Sequence, residues 1–292
     1  MSETYRVLTA LGNHGLAVPD DTPDAAPVEL HFRRRTGRPL AGDRVRIDDQ
    51  GAVAEILPRS NTFGRGSDRG RFQPIAANLD TLLIVIAPRP APSEDLLHRY
   101  LAAARMQDVD PVVIINKSDL PVPDAPPFSD LDALDLDVYR TCAGETIDLG
   151  QLPERLNRGI HLLAGQSGVG KSSLANALLP TLRIDTGGLS RSTGKGRHTT
   201  TATRLHALPG GGWLVDTPGV WEYGLWSMPV EELERGFPEF HRVGPCRFRN
   251  CRHDHEPGCA VRDAAADGRI PACRYRAWLR LLNEQARLAA GG

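Results

Sequence analysis

Lysine is almost missing from this chain. Only three of its 35 basic side chains are lysine (Lys117, Lys171 and Lys195), and arginine supplies the rest. Long apolar runs are missing too. The longest, Leu82 to Ala87, covers six residues, far short of the ~20 that cross a bilayer, so no membrane partner is expected. The first ten residues lack the basic-then-apolar layout of a secretory leader. Cysteine is sparse and odd in number, and four of the five fall between Cys246 and Cys273. That clustering argues against a disulfide framework and for a local metal site in a cytoplasmic protein.

What remains is an ordinary soluble composition, 40% hydrophobic and 24% charged, in 292 residues, enough for more than one domain. The net charge of -1 hides an uneven distribution. Residues 30–75 carry +5 and residues 237–292 carry +4, against -4 for residues 1–29 and -6 for residues 76–236. Two basic segments flanking an acidic middle suit a polyanion held from two sides, although solvated arginine surface has the same composition.

Residues 1–75 read as a small β module, with alternating stretches at Asp43–Ile47 and Ala52–Leu57 between turn signals. Asn61–Gln73, with three glycines and no periodicity, reads as a mobile basic loop. From 76 to 236 the pattern changes. Apolar strands are expected at 82–87, 111–115, 160–164, 205–208 and 213–215, with an amphipathic helix at 95–106. Such alternation predicts an α/β fold with a largely parallel sheet covered on both faces. The proline-rich stretch 120–127 reads as a surface connection. Residues 237–292 are rich in Cys, His and Arg and end in a helix from about Arg274 to Ala290.

Each lysine lies in a motif or beside one. Gly165-Gln166-Ser167-Gly168-Val169-Gly170-Lys171-Ser172, followed by Ser173, fits G-x-x-x-x-G-K-[ST] between a strand and a helix. Its backbone N–H groups would cradle phosphate, Lys171 would reach the β- and γ-oxygens, and Ser172 would offer a hydroxyl to Mg²⁺. Asn116-Lys117-Ser118-Asp119 follows a predicted strand. A carboxylate at Asp119 accepts from both N1–H and the exocyclic amine of guanine, a donor pair adenine lacks, and the Lys117 stem would pack on the purine plane. Thr141-Cys142 is a candidate guanine-contacting loop. Asp216-Thr-Pro-Gly219 fits D-x-x-G, with Asp216 near Mg²⁺ and the Gly219 N–H toward the γ-phosphate. Within Arg197–Thr201, Thr200 is the first candidate for the switch threonine on Mg²⁺, and Thr199 the alternative. Val220 cannot orient an attacking water. His198 is the nearest imidazole in the switch segment and the candidate for that role, its alternative being to anchor the loop. Gly168 stands where potassium-activated GTPases carry Asn, so strong K⁺ dependence is not expected.

Cys246, Cys251, His253 and Cys259 offer three thiolates and an imidazole within fourteen residues, a donor set for a closed tetrahedral Zn²⁺ site. His255 competes with His253, and Cys273 with any of the cysteines; both are read as non-ligands.

The motif order is N-K-x-D, then P-loop, then D-x-x-G, a circular permutation of the usual GTPase order. With a β module before it and a Cys/His segment after it, the chain resembles the bacterial ribosome small-subunit-dependent GTPase A family from about Gly42 to Cys259. Thr141-Cys142 departs from that family's usual Ser-Ala. The resemblance implies an OB-type barrel at 1–75, a permuted GTPase domain at 76–236 and a zinc-binding helical domain at 237–292. It further implies GTP or GDP with Mg²⁺, one structural Zn²⁺ on the same four residues, and a monomer that binds the small ribosomal subunit and its RNA during late maturation. The residues leave two other readings, a P-loop kinase or ATPase on a small molecule, and a zinc-dependent RNA-binding module with a structural nucleotide site.

Guanine selectivity supplies the first test. Asp119→Asn is expected to shift preference from GTP toward XTP in competition binding; a variant that keeps its GTP preference refutes the assignment.

Overall fold

The computed structural model describes residues 3–67, 69–144, 147–180, 203–217 and 224–290. Lys195, His198, Thr199, Thr200, Gly219, Val220 and Trp221 therefore lie outside the described residues.

The chain opens with five short strands: β1 (Thr4–Leu11), β2 (His14–Pro19), β3 (Val28–His31), β4 (Arg44–Ile47) and β5 (Val53–Ile56). They pair antiparallel in the order β3-β2-β1-β4-β5, and a bridge between His31 and Ala52 closes the ring. This is the OB-type barrel. Alternation explains its interior: Val45 is fully buried while Arg44 and Arg46 on either side face solvent, and Val7, Ala17, Leu30 and Val53 fill the same space.

The next segment corrects the sequence reading. Asn61–Gln73 is not a loop, because most of it forms a hairpin of β6 (Thr62–Gly66) and β7 (Phe72–Ala77). Its glycines and charges hid the anchors. Phe63, Ile75 and Ala76 are buried in the central core, and the Gly64 N–H donates to Gln107 Oε1 at 2.7 Å. Phe72 meets Trp226 edge-on, with ring centroids 4.7 Å apart.

The central layer then follows in chain order. β8 (Thr81–Ile86), α1 (Glu94–Met106), β9 (Asp110–Ile115) and β10 (Asp137–Arg140) come first. A two-rung hairpin of β11 (Cys142–Ala143) and β12 (Ile147–Asp148) leads through α2 (Leu152–Arg155) to β13 (Ile160–Ala164) and α3 (Lys171–Leu178). The layer ends with β14 (Arg204–Ala207) and β15 (Trp213–Asp216). The sheet order is β10-β9-β8-β13-β15-β14, parallel except for β14, with β1 of the barrel continuing it through a pairing of Thr9 with Arg204. Strand β10 had no apolar run to announce it, since Asp137, Val138 and Arg140 are exposed.

Both faces are covered, as the continuous apolar strands required. Leu82, Ile84 and Ile86 of β8 point into one core with α1, and Leu83 and Val85 point into the other with α3. The C-terminal elements α4 (Val230–Glu234), α5 (Ala260–Ala266) and α6 (Ala272–Ala290) close over the α1 side. Arg99 of α1 bonds Glu284 of α6 at 2.6 Å, and the Gln285 amide of α6 spans Met228 N–H and Trp226 carbonyl. Among the described residues no helix is long and apolar enough to cross a membrane.

One buried cation organises that corner. Arg274 is 1% exposed, bonds Glu239 Oε1 at 2.6 Å and the Gly236 carbonyl at 2.7 Å, and lies 4.2 Å above the Phe237 ring. Removing one partner of a buried pair strands the other, so Arg274→Ala should cost about 3 kcal/mol in urea-induced unfolding. A loss under about 1 kcal/mol would show that the pair is solvated and weak.

Candidate functional site

Three loops meet at the carboxyl ends of the parallel strands, where open α/β sheets place their ligands. Residues 165–170 turn the chain from β13 into α3, and two glycines make the turn. Gly165 (φ +142°) lies so close to the Val85 carbonyl that a Cβ would overlap it, and Gly170 (φ +95°) is pressed against the Asn116 amide in the same way. A loop of this shape before a helix N-terminus presents backbone donors to an anion.

Asn116 ties the neighbouring loops together. Its Nδ2 donates to the Val169 carbonyl at 2.9 Å, and its Oδ1 accepts from Thr141 Oγ1 at 3.1 Å; both side chains are buried. Lys117 adopts a left-handed backbone (φ +58°), and its ammonium donates to the carbonyls of Arg89 and Gly168 at 2.8 and 2.7 Å. Ser118 N–H bonds the Thr141 carbonyl at 3.0 Å, and the Cys142 thiol donates to Asp119 Oδ1 at 3.3 Å. The structure thus gathers 116–119, 141–142 and 165–170 into one site. The Gln166 amide reaches the carbonyls of Pro90 and Ala91. Segment 89–91 escaped the sequence reading because it contributes backbone carbonyls, for which no side-chain pattern exists.

Lys171 Nζ donates to the carbonyls of Gly165 and Gln166 at 2.7 and 2.6 Å, and burial pushes its pKa down to about 8. Ser172 and Ser173 follow it in the first turn of α3. Asp216 ends β15, beside β13, and its neighbour Thr217 accepts a bond from Thr203 Oγ1 at 3.3 Å. Asp216 and the P-loop therefore share one end of the sheet.

The second cluster lies in the C-terminal segment. The ligand atoms of Cys246, Cys251, His253 and Cys259 all fall within 4.8 Å of one another. His253 Nδ1 is 3.5 Å from Cys246 Sγ and 3.4 Å from Cys259 Sγ, and the two sulfurs are 3.9 Å apart. Tetrahedral Zn²⁺ with Zn–S of about 2.3 Å calls for sulfurs about 3.8 Å apart, so the residues fit. Helix α6 holds this knuckle in place: Tyr275 Oη donates to the His253 carbonyl and Trp278 Nε1 to the Arg252 carbonyl, both at 2.9 Å. Glu234 of α4, which no sequence signal marked, lies 3.6 Å from His253 Nε2, where an outer carboxylate orients an imidazole ligand. His255 is exposed and Cys273 buried elsewhere, both outside the cluster.

A P-loop at the central strand, N-K-x-D at the end of a strand that precedes it in the chain, and a barrel ahead of both define a circularly permuted P-loop GTPase. The chain belongs to the RsgA GTPase family, whose model matches residues 56–226. It is 41% identical to the small ribosomal subunit biogenesis GTPase RsgA of Pseudomonas aeruginosa over 93% of this chain and 83% of that one. The protein of the same name from Burkholderia mallei is 42% identical over 97% and 92%. Among solved structures, YjeQ from Thermotoga maritima superposes with a TM-score of 0.80 at 27% identity, over 98% of this chain and 99% of that one. YloQ, described as a circularly permuted GTPase, gives 0.73 at 26% identity, over 98% and 96%.

The depressed Lys171 generates a pH dependence. A phosphate beside it favours the ammonium, so nucleotide binding takes up a proton once the free ammonium starts to lose one. Linkage then makes GDP affinity fall as pH rises, by about fourfold between pH 7 and 8.5. Calorimetric titration across that range checks this, and an affinity independent of pH would show that Lys171 stays charged throughout.

Proposed function

We propose that this GTPase hydrolyses GTP while bound to the small ribosomal subunit and its RNA, assisting late maturation of that subunit in the cytoplasm as a monomer. The observation that carries the reading is the packing of Asn116 against the P-loop. It places a guanine-type motif and a phosphate loop in one site, in a chain whose relatives are named for small-subunit biogenesis. Asp119 selects guanine, with Lys117, Ser118, Thr141 and Cys142 framing the base. Gly165 to Ser173 hold the phosphates. Ser172, Thr200 and Asp216 would hold Mg²⁺, and the Gly219 N–H would meet the γ-phosphate. When bound, Mg²⁺ neutralises charge that develops on the transferred phosphoryl group. His198 orients the attacking water.

The parts divide as 1–75 for RNA, 76–236 for nucleotide and 237–292 for zinc and RNA, with Cys246, Cys251, His253 and Cys259 holding one structural Zn²⁺. Charge supports this. Arg34, Arg35 and Arg38 are exposed on the barrel, and Arg247, Arg249 and Arg252 are exposed on the knuckle around Phe248, an aromatic that is 42% exposed. Arginines interleaved with an exposed ring suit phosphate contact with base stacking. The chain from Gly224 towards the knuckle is anchored, because Gly66 N–H bonds the Gly224 carbonyl and Gln285 clamps Trp226 and Met228. A γ-phosphate on Gly219 therefore biases the RNA-binding face.

Hydrolysis measured with and without purified small subunits tests the reading. Turnover should rise on the order of tenfold or more with subunits, since a partner that completes a GTPase site contributes at least that much. Subunit affinity should be higher with a non-hydrolysable GTP analogue than with GDP. Turnover unaffected by subunits, or equal affinity in both nucleotide states, refutes the proposal.

A further inference from the structure

A third cluster of chemistry-bearing residues sits away from the nucleotide site and shares no residue with the knuckle. His98 of α1, Asp130 in the turn after Pro126-Pro127, and Cys273 in the first turn of α6 bring Nε2 or Nδ1, Oδ and Sγ within 4.8 Å of one another. His98 is 0% exposed, and neither of its ring nitrogens has a hydrogen-bond partner. A buried polar group left so is costly, and such groups are rare enough to need a reason. Asp130 Oδ2 stands 3.9 Å from His98 Nε2, too far for a direct bond. Cys273 is buried as well, at 4% exposed.

We propose that His98, Asp130 and Cys273 form a second site for a borderline-soft divalent cation, with Zn²⁺ the expected occupant. The donor set is one imidazole, one carboxylate and one thiolate, which selects zinc over the harder Mg²⁺ or Ca²⁺. Bond lengths of about 2.0 Å to nitrogen and oxygen and about 2.3 Å to sulfur call for donor separations of about 3.3–3.8 Å. The donors lie within 4.8 Å of one another, so a bound ion would draw them closer together. Two ligand anions balance the dication. Arg274 is the cation packed closest in sequence to Cys273, and it is already paired with Glu239. Burial, helped by Arg274, Arg280 and Arg276 of α6, pushes the His98 pKa down to about 3. The ring is therefore neutral, the form that binds metal. The three donors come from α1, from the segment after β9 and from α6. A metal there is a clamp that fastens the C-terminal helix to the GTPase layer.

The test is metal stoichiometry on the full chain, stripped with chelator, dialysed against zinc-buffered solution and measured by elemental mass spectrometry. The wild type should hold two zinc ions per chain, and His98→Asn and Cys273→Ser one each. Cys251→Ser should lose the other ion, so a failure of the knuckle assignment is read separately from a failure of this one. Zinc content that neither folded variant lowers overturns the proposal. Should circular dichroism show both variants unfolded, wild-type crystals grown with zinc decide the matter. An anomalous peak at the zinc edge among the three side chains sustains the site, and its absence overturns it.

Discussion

The side-chain amide of Asn116 is the contact on which the nucleotide end of this molecule depends. It is held by the end of β9, donates to the P-loop backbone at Val169 and accepts from Thr141, so three loops from distant parts of the sequence take their spacing from one group. Only glycine at position 170 lets the amide come so near. Aspartate at 116 would have no donor for Val169, and glutamine would be a methylene too long. The Asp119 carboxylate, proposed to select guanine, inherits its position three residues on from this knot, as does the loop proposed to receive phosphate.

Much of this was legible beforehand. A parallel strand buried on both faces must be apolar throughout, so 82–87, 111–115 and 160–164 announced themselves, and the Asn116–Asp119 and Gly165–Gly170 motifs beyond the last two located the loops. The Cys₃His set was readable because all four donors fall within fourteen residues, even though α6 and Glu234 hold the knuckle from outside that stretch. What failed did so for physical reasons. The β6–β7 hairpin is stabilised by Phe63 and Ile75 inserting into a core built elsewhere, and nothing local distinguishes its glycines from those of a loop. Strand β10 is an exposed edge whose partner supplies the pairing. Glu234 meets His253 nineteen residues on, and His98 meets Asp130 and Cys273 at 32 and 175 residues on, spacings that no local motif connects.

The permutation changes what covers the sheet. In this chain order the residues from Gly224 onward pass over the α1 side and end in α6, which packs on α1 through Arg99 and Glu284. The knuckle and the nucleotide loops consequently rest on the two ends of one helical layer, with Arg274 and Gln285 as its polar fasteners. Deleting the C-terminal segment would uncover Leu97, Leu101 and Trp226, so this layer is as much part of the GTPase core as of any separate unit.

Strand β8 also carries a consequence for synthesis on the ribosome. All six of its residues are buried, and it is flanked by β9, which follows soon after, and by β13, which begins only at Ile160. A nascent chain has therefore made β8 and β9 long before the strand that seals their inner edge emerges. At about 5–20 residues per second the gap between Ile86 and Ile160 lasts about 4–15 s. During that interval an entirely apolar edge is open to pairing with other chains. In the unpermuted order the phosphate-loop strand is made first and waits for its neighbours. Here the permuted gene trades that order for one in which the seam between β8 and β13 stays open until Ile160 has been made.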